Sequence, residues 1–299
     1  MSDLAERIRV AIEDPNTDLW FPDLTDELTA REWDKLHDIG LTPDSYGTER
    51  VLSRNISAAP DVIASLRTRP STNGNARINI ETLPKERASQ YQKAGVSFYS
   101  PSEIVNTGVL TCIEDAVVIL NQVPSLMRTV ATMVRSLHVI APEDAEYDVS
   151  FSEPQIPFSI FISVPKTRIV NDALRVAEAI THEAMHLQLT IIERLIPLVR
   201  VTGEKYFSPW RGTRRPAQGV LHALYVFSVI DRFLASLLSL ESFRGELREH
   251  IQRRHNEINR QIDMTRSFED SSELTMTGAR FVRGLLGSTH PTIATSLTS

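Results

Sequence analysis

The residues best able to do chemistry lie together at Thr181-His182-Glu183-Ala184-Met185-His186. Residues four apart on an α-helix share a face, so the two imidazoles can address one metal ion. Glu183 falls about 100° around the axis, off that face but within reach of a water on the ion. A catalytic metal site needs a third protein ligand. The metzincin pattern would set a Gly at position 189 and a His at 192; Leu189 and Ile192 stand there, which excludes that class. A gluzincin would take a Glu from a following helix. Neither Glu193, seven residues beyond His186, nor Glu204, in the loop-like Thr202-Gly-Glu-Lys segment, sits in one.

His222 is better placed. It opens the apolar stretch Gly219-Val-Leu-His-Ala-Leu-Tyr-Val-Phe, with enough chain before it to fold back on His182 and His186, and is favoured as third ligand over a core histidine. The competing reading of His182 and His186 is a pair of partly buried histidines satisfied by backbone or carboxylates. His37, His138 and His290 lack companions at metal spacing. His250 and His255 fall in the Arg-rich 244–266 stretch, read as a solvated face or a partner surface.

Upstream of His222, Ser208-Pro-Trp-Arg-Gly-Thr-Arg-Arg-Pro216 carries three arginines in five residues beside an aromatic. The planar guanidinium suits bidentate capture of a carboxylate, which points to an anionic cosubstrate. Taken singly, each arginine reads more simply as solvated or ion-paired. Arg211 and Arg215 are the nearest candidates, 11 and 7 residues before His222, while Arg214 is expected to face solvent.

The elements that must position these groups can be read from spacing. Tyr147–Ser152 and Phe158–Val164 are rich in aromatic and β-branched residues between prolines and predict two strands. Asn171 or Asp172 then caps a helix running to about Leu195. Helices are expected at about 218–240, 242–266 and 272–286. Thr29-Ala-Arg-Glu32 reads as a capping box opening a short helix to residue 39 before Gly40. The stretch from Ser102 to about Ile140 reads as two helices split at Pro124, and residues 69–84 as polar and turn-rich. The expected fold is mainly α with a small β-sheet (α+β), its H-E-x-x-H helix packed on a further His-bearing helix. Residues 1–100 form an N-terminal helical extension, 101–287 the catalytic region in one compact unit with it, and 288–299 a frayed tail.

Five blocks in order carry a family resemblance: Asp148-Val-Ser-Phe-Ser-Glu-Pro, Pro157-Phe-Ser-Ile-Phe-Ile-Ser-Val-Pro165, Thr181–His186, Pro209-Trp-Arg211 and Arg215-Pro-Ala-Gln-Gly-Val-Leu-His222. Across roughly residues 100–240 the chain resembles the HExxH-motif peptide-modification family, the 2-oxoglutarate-dependent peptide β-hydroxylases of ribosomal peptide gene clusters. The resemblance implies Fe(II) held by His182, His186 and His222, with 2-oxoglutarate chelating the metal and O2 as oxidant. It implies a ribosomally made precursor peptide as substrate, hydroxylated at a β-carbon, and allows for a leader-binding partner protein. With 2-oxoglutarate implied, Arg211 and Arg215 become the candidates for its distal carboxylate. Three imidazoles depart from the usual two-His-one-carboxylate oxygenase set, so Glu183 stands open as base, hydrogen-bond organiser or ligand.

Composition bounds these readings. At 299 residues with 41% apolar content the chain can bury a sizeable core. The single Cys112 cannot form an internal disulfide, and the net charge of −6 gives no overall attraction to nucleic acid. No apolar run of about 18 residues stands out and the Met1–Val10 segment is charged, so a cytoplasmic protein without a membrane span is expected. The alternatives are a zinc metallopeptidase, with Glu183 as base and Zn(II) on the same histidines, and a non-catalytic peptide-binding module.

Overall fold

A computed structural model describes residues 3–14, 16–38, 49–50, 78–143, 149–153, 156, 158–166, 169–200 and 203–287. The expected frayed tail, Gly40, Pro154, Pro157, and Tyr147 and Asp148 at the start of the first expected strand lie outside the described residues, as do 69–77 of the expected turn-rich segment. The protein is mainly helical with a small mixed sheet, as the sequence suggests. The six strands of that sheet are β1 (Glu49–Arg50), β2 (Asn79–Thr82), β3 (Ser97–Phe98), β4 (Ser136–Ala141), β5 (Ser150–Ser152) and β6 (Ser159–Ser163). β4 lies centrally, parallel to β2 on one edge and to β6 on the other; β3 pairs antiparallel with the end of β4, and β1 lies antiparallel beyond β2. β5 closes the β6 edge antiparallel, in the register Phe151 opposite Phe161.

Two expectations are corrected here. Ser136–Ala141 is strand rather than the end of a helical run, because a short apolar stretch has the same pattern in a buried strand as in a buried helix. The Thr29 capping box is not used. The helix α2 (Pro22–Asp38) opens seven residues earlier at a proline, following Phe21 in the left-handed region at φ 41°. Thr29 is mid-helix, its hydroxyl on the Met133 sulfur at 3.4 Å, and buried Glu32 pairs with Arg194 and Lys35.

The remaining helices include α1 (Asp3–Glu13), α3 (Lys85–Lys93), α4 (Pro101–Asn106), α5 (Gly108–Leu120) and α6 (Pro124–Met133). Thr107, which caps α5, breaks the stretch before Pro124 does. After the sheet come α7 (Asp172–Glu193), α8 (Ala217–Leu238), α9 (Gly245–Asp263) and α10 (Met276–Gly287), close to the expected spans. α7 packs on α5, α8, β5 and β6. The first hundred residues contribute strands as well as helices and join the same core. Gln188 on α7 donates to the Trp20 carbonyl and to Thr25, both at 2.8 Å, and Tyr225 on α8 donates to the Leu19 carbonyl at 3.0 Å. α8 is, among the described residues, the one helix long and apolar enough to cross a membrane; 67% of its apolar window is buried inside the protein.

His138 sits in the middle of β4 with 1% of its surface exposed, stacked on Phe161. The Glu81 carbonyl, 3.0 Å away, can only accept, so Nδ1 carries the proton and Nε2 faces the Ser136 hydroxyl. Burial, aided by Arg135 and Arg87, lowers its pKa from 6.5 to about 3. As the pH falls below 6.5 the unfolded chain takes up this proton first, so stability is complete above 6.5 and declines toward pH 3. His138→Gln should therefore lower stability at pH 7 by about 1 kcal/mol through the lost contacts, yet flatten the acid limb by roughly one proton, ~1.4 kcal/mol per pH unit. Denaturant titrations between pH 4 and 7 read both effects; an unchanged slope would mean that His138 is already protonated in the fold.

Candidate metal centre

α7 carries fourteen buried side chains, so its one half-open stripe is set by the rest of the helix. His182 and His186 stand on that stripe with Nε2 atoms 3.1 Å apart. Two ligands each about 2.0–2.1 Å from one ion and separated by that distance subtend roughly 95–100° at it, between tetrahedral and octahedral angles. The rings are steeply inclined at 70° with centroids 4.7 Å apart. In-line N–H···N contact would separate centroids by the nitrogen distance plus a ring radius on each side, which is longer, so these two nitrogens converge on a common point.

His222 reaches the same group by a different route. Its Nδ1 lies 3.1 Å from Nδ1 of His186, the rings 17° from parallel with centroids 5.3 Å apart, which does fit an in-line contact. Its Nε2 lies 2.8 Å from Glu193 Oε2, to which Gln218 also donates at 3.0 Å. α8 thus brings the third histidine to the first two, but onto the far nitrogen of His186. Accordingly, no group of three ligating side chains converges on one point among the described residues. Glu193, set aside as a ligand on sequence grounds, is instead the carboxylate partner of His222. Its spacing was the available signal, since a residue seven beyond His186 returns to the same face of the helix.

Burial holds the first two imidazoles neutral. The His182 pKa is lowered from 6.5 to about 4 by desolvation and then by Arg211 and Arg254. That of His186 is lowered to about 2 by desolvation, then by its two histidine neighbours and by Arg215 and Arg211. Their ring lone pairs are therefore available at neutral pH, as metal coordination requires. Glu183 is 3% exposed and its carboxylate accepts from Ser150 on β5 at 2.7 Å. Desolvation raises its pKa from 4.5 to about 7 against the opposing hydrogen bonds of Ser150 and Ser152. It lies 4.0 Å from His182 Nε2, a contact to a neutral ring rather than an ion pair.

The arginine-rich segment is a hairpin, β7 (Lys205–Ser208) and β8 (Thr213–Pro216). Its turn is anchored by Trp210, stacked 4.9 Å from Phe227 of α8 at 3°. Arg211 and Arg215 line a cavity of about 720 Å³ together with His182, His186 and His222. Arg215 lies over Gly219, where an added Cβ would meet its Nε at 3.4 Å. Arg214 is turned out and donates to the Lys205 carbonyl, as expected. Two further residues of this wall, Ser208 and Trp210, bury a hydroxyl and an indole N–H for which the described residues offer no hydrogen-bond partner. His255 is not on a solvated face: it pairs with buried Asp231 at 2.7 Å.

No protein-family profile matches the chain, and no curated protein matches it.

The raised pKa of Glu183 fixes a sign. In the metal-free fold the proton is retained to about pH 7 but leaves the unfolded chain near 4.5, so stability falls as pH rises through that window. Glu183→Gln, which can still accept from Ser150, should match the parent below pH 4.5 and exceed it above pH 7, by about 3 kcal/mol at most. Paired melts at pH 4.5 and 8 check this; a variant less stable at pH 8 would place the carboxylate in an ionised, paired state instead.

Proposed function

We propose that this protein is an Fe(II)- and 2-oxoglutarate-dependent oxygenase that hydroxylates the β-carbon of a residue in a ribosomally made precursor peptide. The observation that carries the reading is the shared cavity. Two neutral imidazoles with convergent Nε2 atoms and two exposed-side guanidinium groups, Arg211 and Arg215, open on one space of about 720 Å³. The resemblance to the HExxH peptide-modification family supplies the chemical identity, and the cavity is consistent with it: a 2-oxo dicarboxylate needs a metal at one end and a cation at the other.

Imidazole donors suit iron and zinc alike, and two of the three expected ligands stand within reach of one ion. His182 and His186 would hold the ion through Nε2. His222, expected as the third ligand, would have to turn from Glu193 to join them. When bound, the metal supplies oxygen activation with 2-oxoglutarate as the electron source. The chain's own residues do the rest. Arg215, lying flat on Gly219, and Arg211 at the turn offer planar donors to the distal carboxylate. Trp210 and Phe227, stacked on one another, give the space an apolar wall. Glu183, close to neutral pH in its proton affinity, can hold or move a proton beside the ion.

That last property also favours a second reading, a zinc metallopeptidase in which Glu183 takes the proton of the attacking water. Hydrolysis gives the two arginines no task.

Three outcomes are expected. His182→Ala and His186→Ala each lose tightly bound iron by metal analysis of purified protein; normal iron in His186→Ala ends the ligand assignment. With iron, oxygen and 2-oxoglutarate the parent releases succinate, and Arg215→Ala or Arg211→Ala raises the KM for 2-oxoglutarate by about 10–100-fold at unchanged iron content, the worth of one charge-assisted pair. Peptide cleavage with zinc and no oxygen, or indifference of both arginine variants to 2-oxoglutarate, moves the protein to the peptidase reading.

A further inference from the structure

We infer that Glu193 is a positioning residue: acting through His222, it fixes which nitrogen of His186 is protonated and so keeps the Nε2 lone pair of His186 turned to the ion site. The inference rests on the reading of His182 and His186 as metal ligands.

The contacts form one directed row. Glu193 Oε2, His222 Nε2 and Nδ1, His186 Nδ1 and Nε2, and His182 Nε2 succeed one another at 2.8, 3.1 and 3.1 Å. Glu193 Oε2 already accepts from Gln218, and as an acceptor it requires the His222 nitrogen facing it to carry hydrogen. A neutral imidazole has one donor and one acceptor, which leaves His222 Nδ1 bare to accept from Nδ1–H of His186. His186 then has its own Nε2 bare, at the point where the His182 nitrogen converges with it. The near-parallel rings of His186 and His222 give the in-line geometry that such a hydrogen bond needs. Without the carboxylate nothing in the row selects this order over its reverse, in which Nε2 of His186 carries the hydrogen and is closed to a metal.

Three features assign His222 to this duty. Both of its nitrogens are spoken for, one by Glu193 and one by His186. Gln218 donates to the same carboxylate oxygen and holds Glu193 in place from one turn earlier on α8. Glu193 and His222 are both largely buried, at 12% and 14% side-chain exposure, so bulk water does not compete effectively for the contact. Carboxylates behind metal-bound histidines commonly act in this way, and losing one costs about 10–100-fold in metal affinity. Here the carboxylate stands one imidazole further back.

The test has two arms on the full-length protein. Nitrogen-15 spectra of the histidine rings in metal-free protein read the tautomers directly. The parent is expected to show His186 protonated on Nδ1 and His222 on Nε2, and Glu193→Ala to show mixed tautomers at both. Titration with Co(II) is expected to give about 10–100-fold weaker binding for Glu193→Ala, with Glu193→Gln, whose amide oxygen still accepts, recovering most of it. In the double variant Glu193→Ala/His222→Ala, the loss should equal that of His222→Ala alone, since the two act in series. Should Glu193→Ala melt early, Gln218→Ala loosens the same carboxylate and should move both readouts in the same direction by less. Unchanged tautomers, unchanged Co(II) affinity, or tighter Co(II) binding through a freed His222 each overturn the proposal. Unchanged affinity in His182→Ala would instead remove the metal site itself, and the tautomer arm still reports on the Glu193 contact.

Discussion

Everything near the cavity depends on His186 remaining neutral while both of its ring nitrogens face other imidazoles. Desolvation on α7 holds His182 and His186 in their neutral forms, which lets these two imidazoles stand within hydrogen-bond reach of one another without charge repulsion. That desolvation is supplied by the whole fold. α5 and the β5–β6 edge cover one side of α7 and α8 covers another. The buried network of Gln188, Tyr225, Thr25 and the Leu19 and Trp20 carbonyls ties the α1–α2 connection to the helix pair. A residue in the first turn of α2 thus packs against the pair of helices that carry His182, His186 and His222.

Placing two arginines beside neutral imidazoles adds to the same effect. Arg211 and Arg215 each disfavour protonation of His186, and Arg211 that of His182, so the cavity gathers positive charge while keeping its ring lone pairs free. Without an anion this is a poor arrangement, since two guanidinium groups share one space, and Ser208 and Trp210 bury polar atoms without partners on the same wall. Among the described residues such atoms are not confined to this wall, since Arg87, Asn171 and Gln261 also bury one each, so the two guanidinium groups rather than the unpartnered atoms set this cavity apart.

The sequence discloses much of this for identifiable reasons. The helices α7 to α10 are legible because their apolar residues recur at helical spacing over many turns, and strands β5 and β6 because aromatic and β-branched residues alternate between prolines. β4 was not legible: Ser-Leu-His-Val-Ile-Ala is too short to separate the two periods, and only its neighbours on both edges make it a strand. The Thr29 box failed because a proline and an acidic turn upstream form a better helix start. At the site, the spacing of His182 and His186 carried its geometry directly, and the placement of His222 beside them was foreseeable from an apolar helix start. Which nitrogen of His186 it meets was not, because ring orientation is set by Glu193 and by the angle between two helices, neither of which spacing encodes.

The two chemical readings meet at Glu183. A hydrolytic base must face the ion's water, whereas the carboxylate here is engaged by Ser150 and Ser152 of β5, 4.0 Å from His182 Nε2. Turning it toward the ion would forfeit the hydrogen bonds of a buried carboxyl group. The hairpin presents its cations without such a conflict, since Arg211 and Arg215 line the cavity already. The arrangement is therefore prepared on its cationic side and constrained on its carboxylate side. That asymmetry suits a reaction whose cosubstrate is an anion chelating the metal better than one whose first step is proton removal from water.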